Sequence, residues 1–278
     1  MNSRNFLHST VYFFVCLLLF VFIFQFLLPQ AQARFKPEDF QKQEIQAFHY
    51  VAIGDSLTEG VGDTTNQGGF VPLLAQSLVN SYGYQVNYDN YGLAGNTSQQ
   101  ILKRMTEEAE IGQALKTADL LTLTVGGNDL RHIVLKNIAN LSISTFDQPL
   151  KAYSQRLKDI LQTARQHNPD LPIYVLGIYN PLYLSFPEMT DMQTIVDNWN
   201  QVTEETVTSM ENVYFVPIND LLYKGLDGQE GVAETNSSTS SGVNNLLYEE
   251  DSFHPNNTGY EIMKQAVMEA ISETKENW

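Results

Sequence analysis

Three polar turns, two entered from an apolar run and one from a strand-like run, and one distant histidine hold the residues of this chain that could do chemistry together. The run at residues 51–53 stops at Gly54-Asp55-Ser56-Leu57-Thr58-Glu59-Gly60, so a hydroxyl stands where a buried strand would end. A serine hydroxyl is a weak nucleophile and needs a base and a place for negative charge to collect. Far along the chain, Asp251-Ser252-Phe253-His254-Pro255 offers the base. An aspartate three residues before a histidine can turn back onto one ring nitrogen, leaving the other to take a proton. Pro255 biases His254 towards extended backbone and holds it out of the helix that residues 256–260 open. The turn Gly126-Gly127-Asn128-Asp129, after the run 120–125, brings a side-chain amide that could donate to an oxyanion. A further turn, Asn90-Tyr91-Gly92-Leu93-Ala94-Gly95-Asn96-Thr97, offers glycine N–H groups from either Gly92 or Gly95. The chemistry of such a set is nucleophilic acyl transfer, with Ser56 attacking and His254 as its base.

Asp129-Leu130-Arg131-His132 repeats the aspartate-histidine spacing. One turn of chain cannot easily supply both an oxyanion donor and a base on opposite sides of a carbonyl, so His132 is expected to line the pocket or cap a helix. The five histidines form neither a His-Glu-x-x-His pair nor a dense cluster, and no metal is expected. No Gly-x-x-x-x-Gly-Lys-Ser/Thr loop is present and no Gly-x-Gly-x-x-Gly follows the first strand, so no cofactor is expected. Ser56 lies between Gly54 and Thr58, which departs from the Gly-x-Ser-x-Gly elbow of α/β-hydrolases. With 16 basic and 32 acidic residues the chain carries a formal charge of −16, which disfavours nucleic acid as a partner.

The elements that must position these turns alternate. Strands are expected near 49–53, 85–91, 120–125, 172–178 and 213–218. Helices are expected near 70–82, from about 98, and near 149–166, 192–210 and 260–273. Strands alternating with helices pair in parallel through right-handed crossovers, which implies an α/β fold, a three-layer α/β/α sandwich on a mainly parallel sheet of about five strands. The loops at the strand C-termini then share one face, with Ser56, Gly95 and Asn128 on them and the His254 loop folded over.

The four blocks Gly54-Asp55-Ser56-Leu57, the Gly95 turn, Gly126-Gly127-Asn128-Asp129 and Asp251-Ser252-Phe253-His254 resemble those of GDSL-type esterases and lipases of the SGNH hydrolase superfamily. The resemblance spans most of the chain beyond residue 48 and implies a flavodoxin-like fold. It also implies a catalytic triad of Ser56, His254 and Asp251 and an oxyanion hole from the Ser56 N–H, the Gly95 N–H and the Asn128 amide. Gly95 is preferred over Gly92 because Gly95-Asn96-Thr97-Ser98 is more similar to the family's turn into its next helix. The implied substrate is a small-molecule or lipid ester. An acetyl esterase acting on cell-wall or extracellular polysaccharide, and a non-catalytic exported module binding glycan or lipid, are the alternatives.

Residues 11–28 form an uncharged stretch rich in Phe, Leu and Val, followed by Ala31-Gln32-Ala33. The length suffices to span a bilayer and the small residues suit signal cleavage, so cleavage and anchoring both stay open. The expected organisation is a signal peptide or membrane anchor at 1–33, a linker at 34–47 and a hydrolase domain at 48–278. The hydrolase domain is placed outside the cytoplasm, secreted or associated with the membrane through residues 11–28. The one cysteine, Cys16, follows bulky Phe14 and Val15 rather than a lipobox. Residues 225–250 read as a long polar loop, expected to gate the site with Leu246-Leu247-Tyr248 docked and 235–241 mobile. Residues 179–189 hold large apolar groups that suit either an acyl pocket or core packing.

Overall fold

The computed structural model describes residues 3–27, 46–137, 142–186, 188–226 and 244–277. It divides into two compact units, Met1–Glu44 and Ile45–Trp278. In the first, helix α1 (Ser3–Leu27) contains the stretch Leu7–Leu27, with a mean hydropathy of 2.6, long and apolar enough to cross a membrane. A secretory signal meets the same criterion.

The second unit is built on five strands: β1 (Ala47–Gly54), β2 (Gln85–Gly92), β3 (Leu120–Thr124), β4 (Ile173–Leu176) and β5 (Val213–Val216). All four pairings are parallel and the order across the sheet is β2-β1-β3-β4-β5. From β1 the chain crosses to β2 on one side, and β3 lies on the other. A crevice therefore opens beyond the C-terminal ends of β1 and β3, the switch point where such sheets bind ligands.

The helices are α2 (Ser56–Glu59), α3 (Phe70–Tyr82), α4 (Ser98–Glu107), α5 (Ala109–Thr117), α6 (Gly127–Asn137), α7 (Asp147–His167), α8 (Thr190–Thr208), α9 (Asn219–Leu222) and α10 (Asn257–Thr274). Alternation along the strands divides the core. Val51, Ile53, Leu121 and Leu123 face a layer from α4, α5, α7 and α8 that includes Tyr153 and Trp199. Tyr50, Ala52, Leu120 and Tyr174 face α3 and α10. Covered on both sides, β3 and β4 are buried at every position, whereas edge strand β2 carries the polar sequence Gln-Val-Asn-Tyr-Asp-Asn-Tyr-Gly.

Two expectations change. The helix starting at Ser98 ends at Glu107, and a separate α5 follows a break at Glu108, whose backbone is extended. Neither glycine nor proline marks that break; the turn lets Ile111 and Leu115 reach the core. Strands β4 and β5 are each four residues long, because the chain beyond Leu176 and Val216 leaves the ladder for the loops above the sheet.

Candidate active site

Gly54 ends β1 where a side chain has no room: a Cβ there would lie 2.2 Å from Thr124 Oγ1 and 2.5 Å from Thr58 Oγ1. This closeness lets Asp55 join the ends of β1 and β3. Its N–H donates to Thr124 Oγ1 (3.2 Å), and its Oδ1 accepts from the same hydroxyl (2.8 Å) and from the Leu57 N–H (3.1 Å). Asp55 thus caps α2, whose first residue is Ser56, with a backbone N–H not used inside the helix. Burial raises the Asp55 carboxyl above its usual value, against the bonds from Leu57 and Thr124.

The histidine loop is folded by its aspartate. Asp251 Oδ1 accepts the backbone N–H groups of Phe253 (2.9 Å) and His254 (3.0 Å), and Ser252, between Asp251 and Phe253, adopts a left-handed φ of 50°. Asp251 Oδ2 then meets His254 Nδ1 at 2.6 Å, and His254 Nε2 lies 2.9 Å from Ser56 Oγ. Partial burial pushes the Asp251 carboxyl up, but the bonds from the His254 ring and the two N–H groups outweigh it, and its pKa is lowered.

The same loop is pinned from below and behind. Tyr248 N–H donates to His254 O (2.7 Å), Asn256 N–H to Leu246 O (2.9 Å), and the buried Tyr179 hydroxyl to Phe253 O. Leu246 and Leu247 belong to the core with α3 and α10, beneath the histidine loop rather than over the cavity. The remainder of the expected gating loop, residues 227–243, lies outside the described residues.

The two glycines of the second turn separate by environment. A Cβ on Gly92 would come 2.1 Å from Glu59 N, so that glycine permits close packing on α2. Gly95 stands in open space with a φ of 81°, a backbone only glycine adopts freely. Glu59 accepts from the Ala94 N–H, which ties this turn to the serine helix. Asn128, in the first turn of α6, is 8% exposed and its Nδ2 donates to Asn96 O at 3.0 Å, leaving a second N–H.

Ser56 and Asn128 line one cavity of about 260 Å³, walled by Leu57, Val125, Leu130, Val134, Ile178 and Leu182. Tyr179 and Pro181 also line it, while Leu184 packs into the interior and Tyr183 stacks edge-on against Tyr223, so the loop after β4 is divided between cavity wall and core packing. Met192 and Val196 from α8 complete the wall. The contributions of α6 and α8 have no distinctive mark in the sequence; their only signal is apolar residues at helical spacing, which core packing produces equally.

His132 does not reach this cavity. It lines a separate depression with Asp129 and Arg156, because the helix that turns Leu130, Arg131 and Val134 towards Ser56 turns Asp129 and His132 away. Among the described residues no group of three or more His, Cys, Asp or Glu side chains could hold a metal ion.

Residues 52–262 match the GDSL-like lipase/acylhydrolase family. The chain belongs to that family. As a GDSL-like acylhydrolase it is 31% identical to the uncharacterized protein YpmR of Bacillus subtilis, over 79% of this chain and 80% of the relative. It is 24% identical to the spore germination lipase LipC of Bacillus licheniformis, over 80% and 95%. The solved structure of the lipase Lip_vut3 from a goat rumen metagenome superposes with a TM-score of 0.67 at 22% identity, covering 81% of this chain and 97% of that one. The fold is that of SGNH hydrolases, and the family membership makes this acylhydrolase an enzyme acting on ester bonds.

Proposed function

We propose that this GDSL-like acylhydrolase cleaves esters of aliphatic acyl chains with Ser56 as nucleophile, His254 as general base and Asp251 as the group that orients His254. The observation that carries the reading is the position of Ser56 Oγ, 2.9 Å from His254 Nε2 and on the wall of the apolar cavity. An acyl chain enters the cavity and its carbonyl carbon meets Ser56. His254 takes the serine proton as the hydroxyl adds to the carbonyl, and Asp251 stabilises the imidazolium that forms. The Ser56 N–H, the Gly95 N–H and the Asn128 Nδ2 receive the oxyanion, donors of a kind worth about 10²–10³ each in kcat. His254 returns its proton to the departing alcohol, and water then releases the acyl group by the same steps.

Acetyl removal from polysaccharide would be served by a small polar pocket, and the wall of Leu, Val and Ile side chains favours the longer acyl group instead. The reading places residues 48–278 as the hydrolase domain outside the cytoplasm, behind a signal or anchor at 1–33 and a linker at 34–47; the apolar α1 supports it. Hydrolysis of p-nitrophenyl esters from acetate to dodecanoate tests the substrate class. kcat/KM should rise with chain length to a maximum in the middle of the series. A maximum at acetate with monotonic decline would overturn the acyl-chain reading.

A further inference from the structure

Arg156, on α7, is absent from the Ser56 cavity, yet its guanidinium closes a network that ties two of the active-site loops together. Its Nε donates to Ser98 Oγ at 2.6 Å and its Nη2 to Asp129 Oδ1 at 3.0 Å. Ser98 donates twice to the same carboxylate, from its hydroxyl to Oδ1 (2.6 Å) and from its backbone N–H to Oδ2 (2.7 Å). Ser98 opens α4 three residues after Gly95, and Asp129 follows Asn128. Ser98 is fully buried and Asp129 is 7% exposed. A buried carboxylate is tolerated only when it is paired and fully hydrogen-bonded. Ser98 satisfies its geometry, and Arg156 supplies its counter-charge. Two of the three oxyanion donors assigned above, the Gly95 N–H and the Asn128 amide, therefore sit on turns joined through one carboxylate and held by one cation.

We propose that Arg156 is a positioning residue that sets the spacing between the Gly95 N–H and the Asn128 amide, acting through Asp129 and Ser98. The proposal rests on the reading of those two groups as oxyanion donors. Without the guanidinium the buried Asp129 loses its partner charge and the two turns move apart. A shift of about 1 Å in such a group costs on the order of 10²-fold in rate. Because the loss falls on the transition state, kcat should drop while KM stays nearly constant.

The test is a double-mutant cycle on hydrolysis of a short ester, with Tm measured for every variant. Arg156→Ala should lower kcat by about 10- to 100-fold with KM changed less than about threefold. Arg156→Lys should recover part of the loss, since it restores charge without the planar fork. The Arg156 side chain is 28% exposed, so added guanidinium should also restore part of the Arg156→Ala activity. In an Asn128→Ala background the same Arg156→Ala change should cost clearly less than in wild type, because coupled residues are non-additive. If Arg156→Ala does not fold, Arg156→Gln is taken through the same cycle. Losses that multiply fully, or an unchanged kcat, would overturn the positioning role. A nearly full activity of Asn128→Ala alone would instead overturn the oxyanion reading beneath it.

Discussion

His254 Nε2 meets Ser56 Oγ at 2.9 Å although 198 residues separate them in the chain. The contact exists because β1 ends at the switch point of the sheet and the turn before α10 is folded back by Asp251. Their partnership is confined to the ends of two rigid elements, so either side chain can be shortened with little effect on packing.

Ser56→Ala and His254→Ala should therefore each lower kcat by about 10³ or more while leaving Tm nearly unchanged, since members of such a set act as a unit. His132→Ala, outside the cavity, should keep most of the activity. Steady-state kinetics on a butyrate ester decides it. An inactive His132→Ala beside an active His254→Ala would transfer the base to the wrong side of α6.

Two carboxylates near the site should leave opposite marks on stability against pH. Burial raises Asp55, so the folded state holds its proton more tightly than the unfolded chain does, and wild type loses stability as pH rises from about 3.9 to the raised value. Asp251 is lowered, so its contribution is present above about 3.9 and is lost as pH falls through the folded value. Relative to wild type, Asp55→Asn should gain Tm with rising pH across the acid range, and Asp251→Asn should lose it. Melting curves between pH 3 and 8 check both signs; parallel slopes for the two variants would contradict the assignment.

The cavity wall predicts a change of chain length. Val134, half-buried on α6, faces the space that a long acyl group would fill. Val134→Phe should leave acetate ester hydrolysis within about threefold and lower kcat/KM for a decanoate ester at least about tenfold, the scale of a methylene or two in an apolar pocket. Equal losses on both esters would mean that the chain lies elsewhere.

The turns after β1 and β3 were legible because each interrupts an apolar run with residues that cannot continue it, Gly54-Asp55 in one and Gly126-Gly127 in the other. The central strands were legible for a related reason: buried on both faces, they read as mainly apolar segments free of charge. The break at Glu108 was not, since nothing in its local sequence differs from a helix interior, and tertiary packing of Ile111 and Leu115 decides it. The rotation of α6 about its axis was equally hidden. It determines that Leu130 and Val134 face Ser56 while His132 joins Arg156, and the bond from Asp129 to Arg156 of α7 that accompanies it lies 27 residues along the chain. The link from Ser98 to Arg156 spans 58 residues and carries no spacing signal at all.

The most direct test of Ser56 as an activated nucleophile is labelling of the full chain with an alkyl fluorophosphonate, followed by peptide mapping. The phosphonyl group should appear on Ser56 alone, and both Ser56→Ala and His254→Ala should stay unlabelled over the same time. A wild-type chain that folds and fails to label, or one that carries the group on another serine, would contradict the account.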